Sequence, residues 1–210
     1  MLSVDQMQRL KQWLKDHKLY KAARGSDRLV RSLPYLWQTF PLLAGSRDLM
    51  LGHAGKLEGW MTADIRPGAD FKVDIKNLRQ FRSESLDTIY ASHVLEHINC
   101  ADAKLALLGM HRALRPGGKL FVVVPDLVNV SRLLESDSAN IAIDIIYGIA
   151  RAREEFDPEH KFGYTRKSLS ELLSETGFSD VREFQPFIDD TSKMCLDNIQ
   201  VSLCLRAAKR

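Results

Sequence analysis

Three short stretches of this 210-residue chain hold side chains of types and spacing that could do chemistry. The first is Gly52-His53-Ala54-Gly55, directly after the apolar run from Asp48 to Leu51. Glycines at such a place let a ligand approach the backbone, and a following turn offers free N–H groups. The second is a pair of carboxylates, Asp64 and Asp74, closing the short apolar runs Trp60 to Ala63 and Phe71 to Val73. A strand-end carboxylate accepts hydrogen bonds from a ribose diol, and a second could accept from an adenine amino group. Each one alone also fits a solvated turn; Gly, Asp and Asp at three successive strand ends is the informative combination. The third is His93-Val94-Leu95-Glu96-His97. Imidazole titrates near neutral pH and suits base work. The same residues match the His-x-x-Glu-His spacing of zinc hydrolases, which need a long helix and a further ligand downstream. Here the pattern follows a buried run and reaches Asn99 at once, so no metal is expected. Glu96 and His97 are expected to brace the turn through buried hydrogen bonds.

The elements that must position these residues centre on the stretch from Leu86 to Asp126. An apolar run (Leu86 to Ala91), a polar turn, a helical pattern (Ala101 to Leu114), Arg115-Pro116-Gly117-Gly118 and a β-branched run (Lys119 to Val124) follow one another. That order is a parallel β-α-β unit, and Pro-Gly-Gly is a helix stop. Upstream, Asp48 to Leu51, Trp60 to Ala63 and Phe71 to Val73 read as strands. Only seven residues separate Gly52 from Trp60, so the usual crossover helix must shrink to a turn. Downstream, helices are expected from Val128 to Leu134, Ala139 to Phe156 and Ser168 to Glu175. Strands are expected from Val181 to Phe184 and Ile199 to Leu205, the last two as a hairpin, with the AAKR tail leaving the sheet. Between them DPEHKFGYTRK, with His160 and Tyr164, is a candidate wall for a substrate.

Composition bounds the rest. Apolar residues make up 45% and charged residues 27%, and the net charge of +3 carries no basic block, which disfavours nucleic acid. No apolar run is long enough to span a bilayer and no signal-peptide core opens the chain, so a cytoplasmic protein is expected. Cys100, Cys195 and Cys204 lack metal or redox-pair spacing. Residues 1–45 read as a helical extension, with Leu10, Trp13 and Leu14 on one face of the first helix, suited to a lid or a homodimer surface. Residues 46–210 form the α/β domain.

The segments LDTIYASHVLEHI and HRALRPGGKLFVVVPD resemble the class I S-adenosylmethionine-dependent methyltransferases, particularly the small bacterial methyltransferase type 11 family. DLMLGHAGKLEGWMTADI, VDIKNL, LSELLSETGFSDVREF and VSLCLRAAK match more weakly, and together the segments cover about residues 47–210. The resemblance implies a Rossmann-like, mostly parallel seven-stranded sheet with helices on both faces and an antiparallel last strand. It implies S-adenosylmethionine as cofactor, with Gly52, His53 and Ala54 along its methionine moiety, Asp64 on the ribose and Asp74 facing the adenine. Ala91, Ser92 and His93 would pass beneath the cofactor, making His93 the candidate base, while His160 and Tyr164 would contact a small-molecule acceptor. The chain departs from the family's glycine motif: Met50 replaces the acidic residue, His53 a cysteine and Ala54 a glycine. Losing a charged partner for the cofactor's ammonium costs about 1–3 kcal/mol. A methyltransferase and an inactive, partner-binding relative both remain open at this stage. A nicotinamide oxidoreductase fits less well, because the glycine spacing and the long following helix are missing.

Overall fold

The computed structural model describes residues 46–148 and 159–210. The expected N-terminal extension and the end of the long helix expected from Ala139 lie outside the described residues. Seven strands form the main sheet: β1 (Asp48–Leu51), β2 (Met61–Asp64), β3 (Phe71–Lys72), β4 (Leu86–Ser92), β5 (Leu114–Pro125), β6 (Phe178–Glu183) and β9 (Ser202–Lys209). Their order is β3-β2-β1-β4-β5-β9-β6. The first five run parallel, while β9 lies antiparallel to both β5 and β6. β7 (Cys195–Leu196) and β8 (Ile199–Gln200) make a separate small hairpin.

The strand pleat sorts side chains onto two faces. Leu49, Leu51, Ile89, Ala91, Leu120, Val122, Leu203 and Leu205 share one face. They pack in a single cluster with Ala103, Leu107 and Met110 of α1 (Cys100–Ala113) and Leu169 and Leu173 of α4 (Arg166–Glu175). Met50, Tyr90, Val123 and Cys204 alternate onto the other face, where Trp60, Phe121, Phe184 and Ile188 cover them. The side chains of Thr62, Asp64, Ser92 and Ser202 fall on this second face by the same alternation. Every one of them is buried. α2 (Leu127–Arg132) and α3 (Ala139–Tyr147) supply Val130 and Ala142 to a third cluster around Val201.

Caps explain where the helices begin. Asn99 accepts from the Asp102 amide at 2.9 Å, Asp126 accepts from Val128 at 3.0 Å, and Thr165 forms a reciprocal box with Ser168. Between β1 and β2 the crossover is a turn closed by an antiparallel bridge from Leu57 to Trp60, so seven residues suffice. Two expectations need correcting at the C-terminus. Asp197 and Asn198 both take positive φ, +50° and +62°, and fold Ile199–Gln200 back as the small hairpin. The tail does not leave the sheet: Ala207 and Ala208 pair with Leu120 and Lys119, and Lys209 Nζ donates to the Leu114 carbonyl at 2.8 Å.

Candidate cofactor and acceptor site

The carboxyl ends of β1, β2 and β4 meet at Gly52. Its φ of +86° belongs to the left-handed region, and a Cβ there would stand 2.4 Å from Val94 Cγ1 and 2.5 Å from the Ser92 carbonyl oxygen. Only glycine allows these strand ends to close up. Its N–H donates to Ala63 at 3.0 Å, which sets it beside Asp64. Farther along the loop, a Cβ on Gly68 would lie 2.2 Å from the Ala54 carbonyl, so the Arg66–Gly68 turn sits directly on Ala54. His53 folds over Gly55, its Nε2 being 3.3 Å from where a Cβ would be.

Asp64 is buried and already engaged. Arg66 donates to Oδ1 from its backbone N at 2.8 Å and from Nε at 3.0 Å, and to Oδ2 from Nη2 at 2.6 Å. Nη2 also reaches the Gly52 carbonyl at 3.3 Å, so the guanidinium bridges the two strand ends. Burial pushes the Asp64 carboxyl up, but these hydrogen bonds and the Arg66 charge outweigh it and hold the carboxyl below its ordinary range. A carboxylate offers about four acceptor positions. With Arg66 in place, Oδ2 retains room for one more donor; a full diol chelate requires the guanidinium to shift. Asp74 is different: it is exposed, accepts from the Lys76 amide at 2.9 Å and pairs with its Nζ at 3.4 Å.

The β4 end carries the second group of residues. Ala91 has its methyl inside the core and offers the site only its backbone. Ser92 Oγ donates to Asp190 Oδ2 at 2.6 Å, tying β4 to the loop before β9. His93 adopts φ +50°, an uncommon conformation for a residue with a Cβ that costs of order 1 kcal/mol. Three contacts hold it: its amide donates to Val123 at 2.9 Å, Nδ1 lies 3.0 Å from Glu96 Oε1, and Nε2 lies 3.3 Å from Ser202 Oγ. Burial pulls the imidazole pKa down, yet the Glu96 hydrogen bond and charge, with Asp190 adding, raise it overall. Glu96 therefore braces the turn, as its place in the sequence suggests.

The loop residues separate. His160 stacks edge-on against His97, with ring centroids 4.8 Å apart, close to Glu96. Burial, together with the nearby histidines, lowers its pKa. Tyr164 is 1% exposed, and its hydroxyl donates to the Leu95 carbonyl at 3.5 Å. It supports the turn from within the core and has no free face for an acceptor, which corrects the expectation placed on it. Arg66, Asp190 and Ser202 are functional-looking residues that sequence reasoning missed. Asp64-x-Arg66 was a readable signal; Ser202 on its apolar strand gave none.

Residues 61–122 match the methyltransferase-domain family. Solved structures align over nearly the whole chain. A SAM-dependent methyltransferase from Archaeoglobus fulgidus is 20% identical, with a TM-score of 0.53, covering 89% of this chain and 96% of its own. A SAM-dependent methyltransferase of Thermotoga maritima, described as a possible histamine N-methyltransferase, is 16% identical at TM-score 0.53, covering 97% and 99%. A possible exported protein from Bordetella parapertussis is 13% identical at TM-score 0.51, covering 86% and 68%. No curated protein sequence matches.

The fold is that of the class I methyltransferases. The strand order, the antiparallel β9 and the glycine turn at the end of β1 all belong to it, and S-adenosylmethionine is the cofactor it implies. The residues present fit the ribose half of that cofactor: a buried carboxylate with acceptor capacity beside a glycine turn. At the methionine half, Met50 is buried in the second-face cluster and supplies no charge. Among the described residues no helix is long and apolar enough to cross a membrane.

Proposed function

We propose that the chain is a methyltransferase that transfers a methyl group from S-adenosylmethionine to a small-molecule acceptor. The observation that carries this reading is Asp64: a buried, ionised carboxylate at the end of β2, next to a backbone position, Gly52, that only glycine can fill. Asp64 would hold the ribose hydroxyls, the Gly52–Ala54 turn the methionine moiety, and Asp74 the adenine edge. The bound cofactor supplies an electrophilic methyl sulfonium. The protein's part is to align the acceptor nucleophile with that methyl group and exclude water. Where the acceptor must lose a proton, His93 would take it. Glu96 fixes Nδ1 as the hydrogen-bonded nitrogen and leaves Nε2, now against Ser202 Oγ, as the working one. His160 would contact the acceptor.

One observation favours the competing reading of an inactive relative: Arg66 fills three of the acceptor positions on Asp64. Equilibrium binding decides between them. Saturable binding of S-adenosylmethionine at or below about 100 μM, followed by acceptor-dependent release of S-adenosylhomocysteine, supports the enzyme. A folded protein that binds neither compound at about 1 mM overturns it.

A further inference from the structure

Beside the strand ends, three side chains of metal-binding type converge. A carboxylate oxygen of Glu96, a ring nitrogen of His97 and a ring nitrogen of His160 lie within 4.8 Å of one another. Glu96 is 1% exposed, and its two oxygens are not equivalent: Oε1 meets His93, while the buried Oε2 has no hydrogen-bond partner among the described residues. An unpartnered buried carboxylate oxygen is costly, and a cation beside it removes that cost. We propose that Glu96, His97 and His160 form a binding site for a divalent transition-metal ion of the zinc type.

The surroundings have the form such a site needs. The Glu96 carbonyl accepts from the amides of Lys161 and Phe162 at 2.7 and 3.2 Å, which pins the segment carrying His160 onto the Leu95–His97 turn. His97 Nδ1 lies 3.3 Å from the Glu159 carbonyl, which can only accept, so this nitrogen carries the proton and Nε2 is left with its lone pair. Metal-binding histidines characteristically spend their second nitrogen on a backbone carbonyl in this way, which fixes the tautomer and the ring direction. With bonds of about 2.1 Å, donors in a tetrahedron stand about 3.4 Å apart, so the three atoms need to close by roughly an ångström. Two imidazoles and one carboxylate leave coordination positions open, the class of site that binds a further oxygen or nitrogen ligand. The His-x-x-Glu-His spacing by itself points away from a metal, because the pattern follows a buried run and reaches Asn99 at once. The third ligand comes instead from the distant loop, and His93 is not part of the set: it faces Ser202. Glu96 would then bridge the ion and His93 through its two oxygens.

The site does not depend on the cofactor reading, and its test needs no turnover. Tag-free protein is titrated with Co²⁺ and followed by visible absorption, with zinc competition and metal analysis as the second readout. The expected result is about one Co²⁺ per chain with ligand-field bands, displaced by Zn²⁺. His160→Ala and His97→Ala should each weaken binding at least tenfold, while His111→Gln, on a different part of the molecule, leaves it unchanged. Should His97→Ala fail to fold, His160→Asn provides the same comparison from the other histidine. Featureless absorption in the wild type, or binding in the His160 variants equal to wild type, overturns the proposal. Loss of S-adenosylhomocysteine binding with Co²⁺ binding intact would contradict the cofactor reading alone.

Discussion

The two sides of the strand-end site are built on different plans. On the β1–β2 side the polar contacts are local: Asp64 is held by Arg66 two residues on, Asp74 by Lys76, and Thr62 by Asp70 eight residues away. On the β4–β5 side a local His93–Glu96 contact is joined by remote ones: Ser92 reaches Asp190 across 98 residues, His93 reaches Ser202 across 109, and His97 reaches Glu159 across 62. A local arrangement can form and loosen by itself. The remote one exists only once β9 and the loop around residue 160 have docked, so it should open only with the fold itself.

Substitution at the point where the two sides touch should have the largest effect. Gly52→Ala forces a Cβ into Val94 and the Ser92 carbonyl at an unfavourable φ, and is expected to lower stability by about 2–4 kcal/mol in chemical denaturation. Gly59→Ala is the control, since φ is +78° there but nothing lies within 4 Å. It should cost only about 1 kcal/mol. Equal losses would mean that Gly52 is held by backbone angle and not by the close approach of β4.

Next in size is the remote side. A double-mutant cycle on Ser92→Ala and Asp190→Ala should give a coupling energy of about 1–2 kcal/mol, as for a half-buried hydrogen bond to a charged group. Additive losses would show that the link between β4 and the loop before β9 is not an energetic one.

The Asp64–Arg66 pair should be worth less, about 1 kcal/mol at neutral pH, because Arg66 is 35% exposed and solvent screens it. The folded-state pKa of Asp64 lies below its ordinary 3.8, so the stabilisation is present above that value and lost as pH falls through the depressed one. Arg66→Gln should therefore be less stable than wild type at pH 7, and the gap should narrow as pH falls below 3.8. A gap independent of pH would remove Asp64 from the explanation. Asp74→Ala, at an exposed turn, should change stability by no more than about 0.5 kcal/mol.

The same contrast decides what the sequence could reveal. Strand ends near Leu51, Ala63 and Ala91 and the short β1–β2 turn follow from local patterning, and Gly52 and Asp64 stand where that patterning puts them; Pro116-Gly117-Gly118, read as a helix stop, lies instead inside β5, whose strand starts at Leu114. The remote partners of Ser92 and His93, Asp190 and Ser202, could not be read, because they arrive on β9 and its preceding loop. Tyr164 was misread for a related reason: in a polar loop it looks solvent-facing, yet the parallel bridge from Tyr164 to Asp126 draws it into the core. Arg66 is the exception, a local contact that was legible and overlooked.

On the proposed reading Asp64 receives the cofactor's ribose and Arg66 competes for it. Calorimetric titration of wild type, Asp64→Asn and Arg66→Ala with S-adenosylhomocysteine tests this directly. The account predicts binding that weakens at least tenfold in Asp64→Asn and tightens severalfold in Arg66→Ala, where the carboxylate is left open to the diol. Wild-type affinity in Asp64→Asn would contradict it.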